Sequence, residues 1–98
     1  MVQTLMPGAC TFDALYASAA PTASASAQTV AVTLYKNGSA TSLTCSLSAS
    51  GTVNVAATCS DTNPGHAVSV AASDTVAIGI SQANTTPTFR FSVATKCQ

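Results

Sequence analysis

Residues 29–47 read TVAVTLYKNGSATSLTCSL. Val30, Val32 and Leu34 recur at the strand period of two, and Leu43, Cys45 and Leu47 do so again beyond Asn37-Gly38, so an apolar stripe folds back towards itself. Asn-Gly is the strongest short-range hairpin signal, because both residues accept the positive φ that a type I′ turn demands. Two strands, 29–36 and 41–48, are therefore expected on either side of a two-residue turn.

Outward from this pair, strand patterns continue at short intervals, separated by Gly, Pro, Asn and Ser, with no stretch of helical period. Residues 10–18, CTFDALYAS, would line one face with Cys10, Phe12, Ala14 and Tyr16. A loop at 19–27 holds only Ala, Pro, Ser and Thr. Strands are expected at 52–58 after Gly51, at 67–70 after a turn at 60–65, and at 75–81 after a turn at 71–74. A last strand at 88–94 turns Phe89, Phe91 and Val93 inward and Arg90 outward. Gly79 lies on the small-residue side of its strand, where it would let another backbone or a bulky neighbour approach closely. About eight short strands without a helix predict an all-β protein, an antiparallel β-sandwich. The buried Trp of antibody-type domains is absent, which favours jelly-roll topology. One domain over 1–98 is expected, with 1–8 as a linker or N-terminal arm.

Composition narrows the function classes. Charged residues make up 6% of the 98 and the formal net charge is zero, against roughly 25% charged residues in an average globular domain. A neutral surface has no field to draw in nucleic acid or an anionic membrane, and it gives little repulsion against self-association. The apolar fraction of 47% and its alternation argue against disorder. No apolar run reaches the roughly 20 residues of a membrane span. The segment 1–7 has neither a basic region nor an apolar core, so no secretory signal is read there. The expected origin is a domain of a longer protein, or a chain released by another route such as lysis.

Four cysteines allow three pairings. Cys45 shares a face with Leu43 and Leu47, Cys59 with Val53, Val55 and Ala57, and Gly51 lies in the turn between them. Cys10 and Cys97 fall in the first and last strands, which are neighbours in many sandwiches. The preferred pairs are Cys45–Cys59 and Cys10–Cys97, with reduced, buried thiols as the alternative. Zinc would need a Cys-x-x-Cys or Cys/His spacing that this chain lacks.

Candidate chemistry is sparse. Asp61-Thr-Asn63-Pro-Gly65-His66 resembles the start of a calcium loop, yet Ala72 stands where the bidentate Glu belongs, so a plain Asx-type turn is expected. His66 is the single histidine. A nucleophile–His–acid triad would have to use it with Asp13, Asp61 or Asp74, and no nucleophile-elbow motif accompanies it; a surface-turn histidine is expected instead. Asp74 is expected to bond within its own turn, and Lys36 to be a solvated hairpin flank. Asn37-Gly-Ser39 and Asn84-Thr-Thr86 match the glycosylation sequon, which arises by chance in a Ser/Thr-rich chain. No catalytic residue, metal or cofactor is assigned.

Taken together, LMPGACTFDALYAS (5–18), TVAVTLYKNGSATSLTCSLS (29–48), AVSVAASDTVAIGIS (67–81) and TFRFSV (88–93) resemble the jelly-roll modules of phage structural proteins and bacterial collagen-like surface proteins. Those modules are similar in turn to trimeric heads of the tumour-necrosis-factor and C1q type. Here the turn before Asp74 is Val70-Ala-Ala-Ser73, without the Gly often found in the family. The resemblance implies a non-enzymatic self-assembly module, a homotrimer or higher assembly, extracellular or on a virion surface, in a fibre, decoration or surface appendage. The alternatives are a receptor- or glycan-binding head and a subunit of an extracellular filament. Glycan binding would use the loops 19–27, 61–66 or 81–87, with only Tyr16 and Tyr35 to stack on a sugar.

Overall fold

The computed structural model describes residues 3–24, 26–82 and 88–98. Eight strands follow in order: β1 (Thr4–Leu5), β2 (Cys10–Pro21), β3 (Gln28–Lys36), β4 (Ser39–Ala49), β5 (Ala57–Asp61), β6 (Val68–Val70), β7 (Thr75–Gln82) and β8 (Phe89–Cys97). One antiparallel sheet has the order β1-β7-β3-β4. The second is built on β2, which pairs β8 along one edge and β5 and then β6 along the other. The chain is an all-β, eight-stranded antiparallel β-sandwich. A 3-10 turn, Pro64–His66, is the one helical turn among the described residues.

The hairpin forms as its sequence dictates. Asn37 and Gly38 have φ of 51° and 83°, and Lys36 faces Ser39 across the two-residue turn. Val30, Val32, Leu34, Leu43 and Leu47 are all at most 2% exposed, each worth about 1.5–3 kcal/mol against solvent. The β3–β4 register shifts between Thr33 and Tyr35. The Thr41 hydroxyl fills the irregularity, donating to the Leu34 carbonyl at 2.7 Å and accepting the Leu43 amide at 3.3 Å.

Four expectations change. In β2 a bulge between Phe12 and Ala14 shifts the register against β8. Phe12 still faces the core, but beyond the bulge Leu15, Ala17 and Ala19 point inward and Tyr16 lies 49% exposed. The face of Cys10, Phe12, Ala14 and Tyr16 is therefore broken midway, because an inserted residue reverses a period-two pattern. The strand also runs to Pro21, shortening the expected loop at 19–27. Residues 52–56 form a turn rather than a strand, since Asn54 adopts φ 62° and its amide donates to the Pro21 carbonyl at 3.0 Å. Val53 and Val55 are left exposed and β5 starts at Ala57. Within the N-terminal arm, Thr4 and Leu5 pair Val76 and Thr75 as an added edge strand. The adjoining Met6 amide donates to Asp74 O at 2.8 Å, and Met6 O accepts the Ser73 amide at 2.9 Å.

The disulfides are Cys10–Cys97 and Cys45–Cys59, the preferred pairs. Cys10–Cys97 bridges β2 and β8 within one sheet. Cys45–Cys59 joins β4 to β5 across the two sheets, with Cα atoms 5.8 Å apart. Facing sheets normally lie about 10 Å apart, so the sandwich is pinched along this flank. Structural disulfides persist in oxidising environments, and this pair fits a non-cytoplasmic protein.

Candidate interaction surface

The pinched flank is also closed by polar contacts. Asp61 points inward, 8% exposed. Its carboxylate accepts the Thr44 amide on the outer edge of β4 at 3.1 Å, the Asn63 amide at 3.1 Å, and a contact from His66 Nδ1 at 2.7 Å. Burial would raise its pKa, but the Asn63 amide, the His66 ring and the Thr44 amide outweigh that and hold the carboxyl below the ordinary 3.8. The charged form is thus favoured in the fold, so its stabilisation is complete above the ordinary value and is lost as pH falls through the lowered one. Asp61→Ala is expected to cost about 1–3 kcal/mol by leaving the Thr44 amide unpaired. Asp61→Asn should flatten the loss of stability at acid pH. Urea titrations at neutral pH and at pH near 3 check both, and an unchanged acid dependence in Asp61→Asn would contradict this.

This geometry accounts for the turn at 61–66. Asp61 Oδ1 accepts the Asn63 amide and Asn63 Oδ1 accepts the Gly65 amide at 2.9 Å, giving two successive Asx turns. The Asx-type turn expected at this segment is thus present, with the Asp61 and Asn63 oxygens accepting backbone amides and, at Asp61, the His66 ring. His66 is not merely a surface-turn side chain, since it pairs with Asp61. Among the described residues its side-chain hydrogen bonding runs to that carboxylate and to no Ser or Thr hydroxyl.

At the hairpin tip, Asn37 Oδ1 accepts the Thr75 amide at 2.9 Å and Asn37 Nδ2 donates to Asp74 Oδ1 at 3.0 Å. Asp74 Oδ2 accepts the Ala71 amide at 2.8 Å, the local bond expected of it. That amide, the Asn37 side chain and Lys36 hold its carboxyl below the ordinary value. Lys36 is more than a solvated flank: its Nζ donates to Ser69 O at 2.8 Å and lies 3.7 Å from Asp74 Oδ2. These bonds tie the tip to the 71–75 turn, and the Asn37 sequon is committed to them. Asn84 lies outside the described residues, as do 83–87 of the loop 81–87.

The two tyrosines differ. Tyr16 stands on the outer face of the β2 sheet in a shallow groove of about 550 Å³, opposite Ser60 and Ala94 and near Ser18, Thr58 and Ser92. Tyr35 lies over Gly79, where an added Cβ would come within 3.0 Å of its Cδ1. Gly79 thus admits the bulky neighbour its position suggested.

Opposite the pinched flank the sandwich gapes. Between the sheets there, a cleft of about 610 Å³ is lined by Met6, Phe12, Leu34, Val76, Ile78 and Thr95. On the inward face of β7, Val76 and Ile78 are half-buried and Ile80 is 40% exposed. On β8, Phe91 and Val93 are likewise half-buried. The alternation of TVAIGIS displayed this apolar stripe in the sequence. That it lies at a rim rather than in the centre depends on strand order, which alternation does not encode. No family model, curated protein or solved structure matches the chain.

Proposed function

We propose that the chain is a non-enzymatic structural module that self-associates, as a homotrimer, in an extracellular or virion-surface assembly such as a fibre, decoration or surface appendage. The carrying observation is the contrast between the two flanks: one stapled by Cys45–Cys59 and closed by Asp61, the other open with Ile80 exposed. A near-neutral surface with six charged side chains supports close apposition of subunits, because few charges need desolvation. Sedimentation equilibrium of the oxidised chain should give three times the chain mass at micromolar concentration. A monomer over that range overturns the reading.

The exposed Tyr16 favours a second reading, a glycan-binding head, in which the ring stacks on a sugar and the surrounding hydroxyls bond to it. Its signature would be glycan-array binding by the wild type that Tyr16→Ala abolishes.

A further inference from the structure

We propose that Asn37 is a site of spontaneous deamidation, and that its conversion to aspartate unlocks the hairpin tip from the 71–75 turn. Asparagine is a thermolabile residue, because the backbone nitrogen of the residue after it can attack the side-chain carbonyl carbon. The new N–C bond closes a succinimide ring as the bond from Cγ to Nδ2 breaks, and the backbone amide proton leaves with that nitrogen as ammonia. Water then opens the ring to aspartate or isoaspartate, so the sequence consumes water alone.

Among the asparagines, Asn37 alone precedes a glycine. Asn54 precedes Val55 and Asn84 precedes Thr85, whose branched side chains crowd the attacking nitrogen. Asn63 precedes Pro64, which carries no N–H to lose. Asn37 and Gly38 are both exposed, and nothing lies within 4 Å of where a Cβ on Gly38 would stand. Among the described residues the Gly38 amide donates to no carbonyl. The nitrogen that must attack is therefore uncommitted.

What restrains the step is the clamp on the side chain. Asn37 Oδ1 accepts the Thr75 amide at 2.9 Å while Nδ2 donates to Asp74 Oδ1 at 3.0 Å, so the amide is pinned at both ends and reacts through openings of the tip. The product undoes that clamp. One oxygen of an aspartate at 37 can keep the Thr75 amide, but the other sets a second acceptor against Asp74 Oδ1. Two carboxylates then share the site and disfavour each other's charge, with Lys36 Nζ, 3.7 Å from Asp74 Oδ2, the cation beside them. Asp74 also anchors the N-terminal edge, since its carbonyl accepts the Met6 amide at 2.8 Å and the Ser73 amide donates to the Met6 carbonyl at 2.9 Å. Loosening the 71–75 turn therefore loosens Met6 and the β1 strand next to it.

The test incubates the oxidised, full chain at mildly alkaline pH, folded and in urea, and follows it by peptide mass mapping. The mass gain of an amide-to-acid conversion should appear first at Asn37, and several-fold faster in urea than in the fold. Asn37→Asp is compared with Ser39→Asp, which puts the same charge on an exposed position of the hairpin away from the clamp. Asn37→Asp should lower the melting temperature by about 4–8 °C and speed amide exchange at Met6 and Ser73. Its deficit should shrink as falling pH lets one carboxyl protonate and donate to the other, and Ser39→Asp should show neither effect. A first mass gain at another asparagine, or none at Asn37 in either state, overturns the modification site, and equal rates in the fold and in urea overturn the clamp. Wild-type melting and exchange in Asn37→Asp, or an equal loss in Ser39→Asp, overturns the unlocking.

Discussion

Replacing Cys10 and Cys97 together by alanine should lower the melting temperature more than the matching replacement of Cys45 and Cys59. The bridges span 87 and 14 residues of sequence. In the chain-entropy picture, tethering those loops in the unfolded state is worth about 4.6 and about 3 kcal/mol, upper values that native strain reduces. For a domain of this size each kcal/mol moves the midpoint by about 4–8 °C, so the first pair is expected to account for at most about 20–35 °C. Structure opposes this ranking in part. Cys10–Cys97 lies within a sheet whose β2–β8 ladder runs from Phe12 to Pro21, whereas Cys45–Cys59 alone crosses between sheets. Calorimetry of both double mutants decides whether unfolded-state entropy or the native pinch dominates. A smaller loss for the Cys10/Cys97 variant would favour the pinch.

Legibility in the sequence followed the range of the forces involved. The Asn37-Gly38 hairpin was readable because its turn chemistry and both apolar stripes lie within 19 residues. The cysteine pairs were readable from the positions of the strands that carry them, although part of the face assignment failed: Val53 and Val55 sit in a turn and are exposed. There the β-branched pattern of Thr52 to Val55 suggested a strand, but Asn54 takes a left-handed conformation that binds it to Pro21 O. Asn at such a position is a recognisable signal, outweighed by its valine neighbours. Asp61 was visible as a turn residue and as one of three acids that could accompany His66, not as a bond to the edge of β4. Its role at the β4 edge arises from a contact with Thr44, 17 positions away, and that contact depends on how the sheets converge.

The β2 bulge gives the sharpest test of what alternation alone misses. Unbroken alternation from Cys10 would bury Tyr16 and expose Leu15. With the register shift after Phe12, Leu15 is 0% exposed while Tyr16 is 49% exposed. Leu15→Ala should therefore open a cavity between the sheets and cost about 3–5 kcal/mol. Tyr16→Ala should cost under about 1 kcal/mol, the scale of a cross-strand contact on a solvated face. Urea unfolding of the two variants, compared at equal slope, separates the alternatives, because an unbulged strand reverses the order. If Tyr16→Ala proves the more damaging, then the inward set Leu15, Ala17 and Ala19 is wrong, and with it the pairing of Tyr16 with Ser60 and Ala94 that shapes the outer groove.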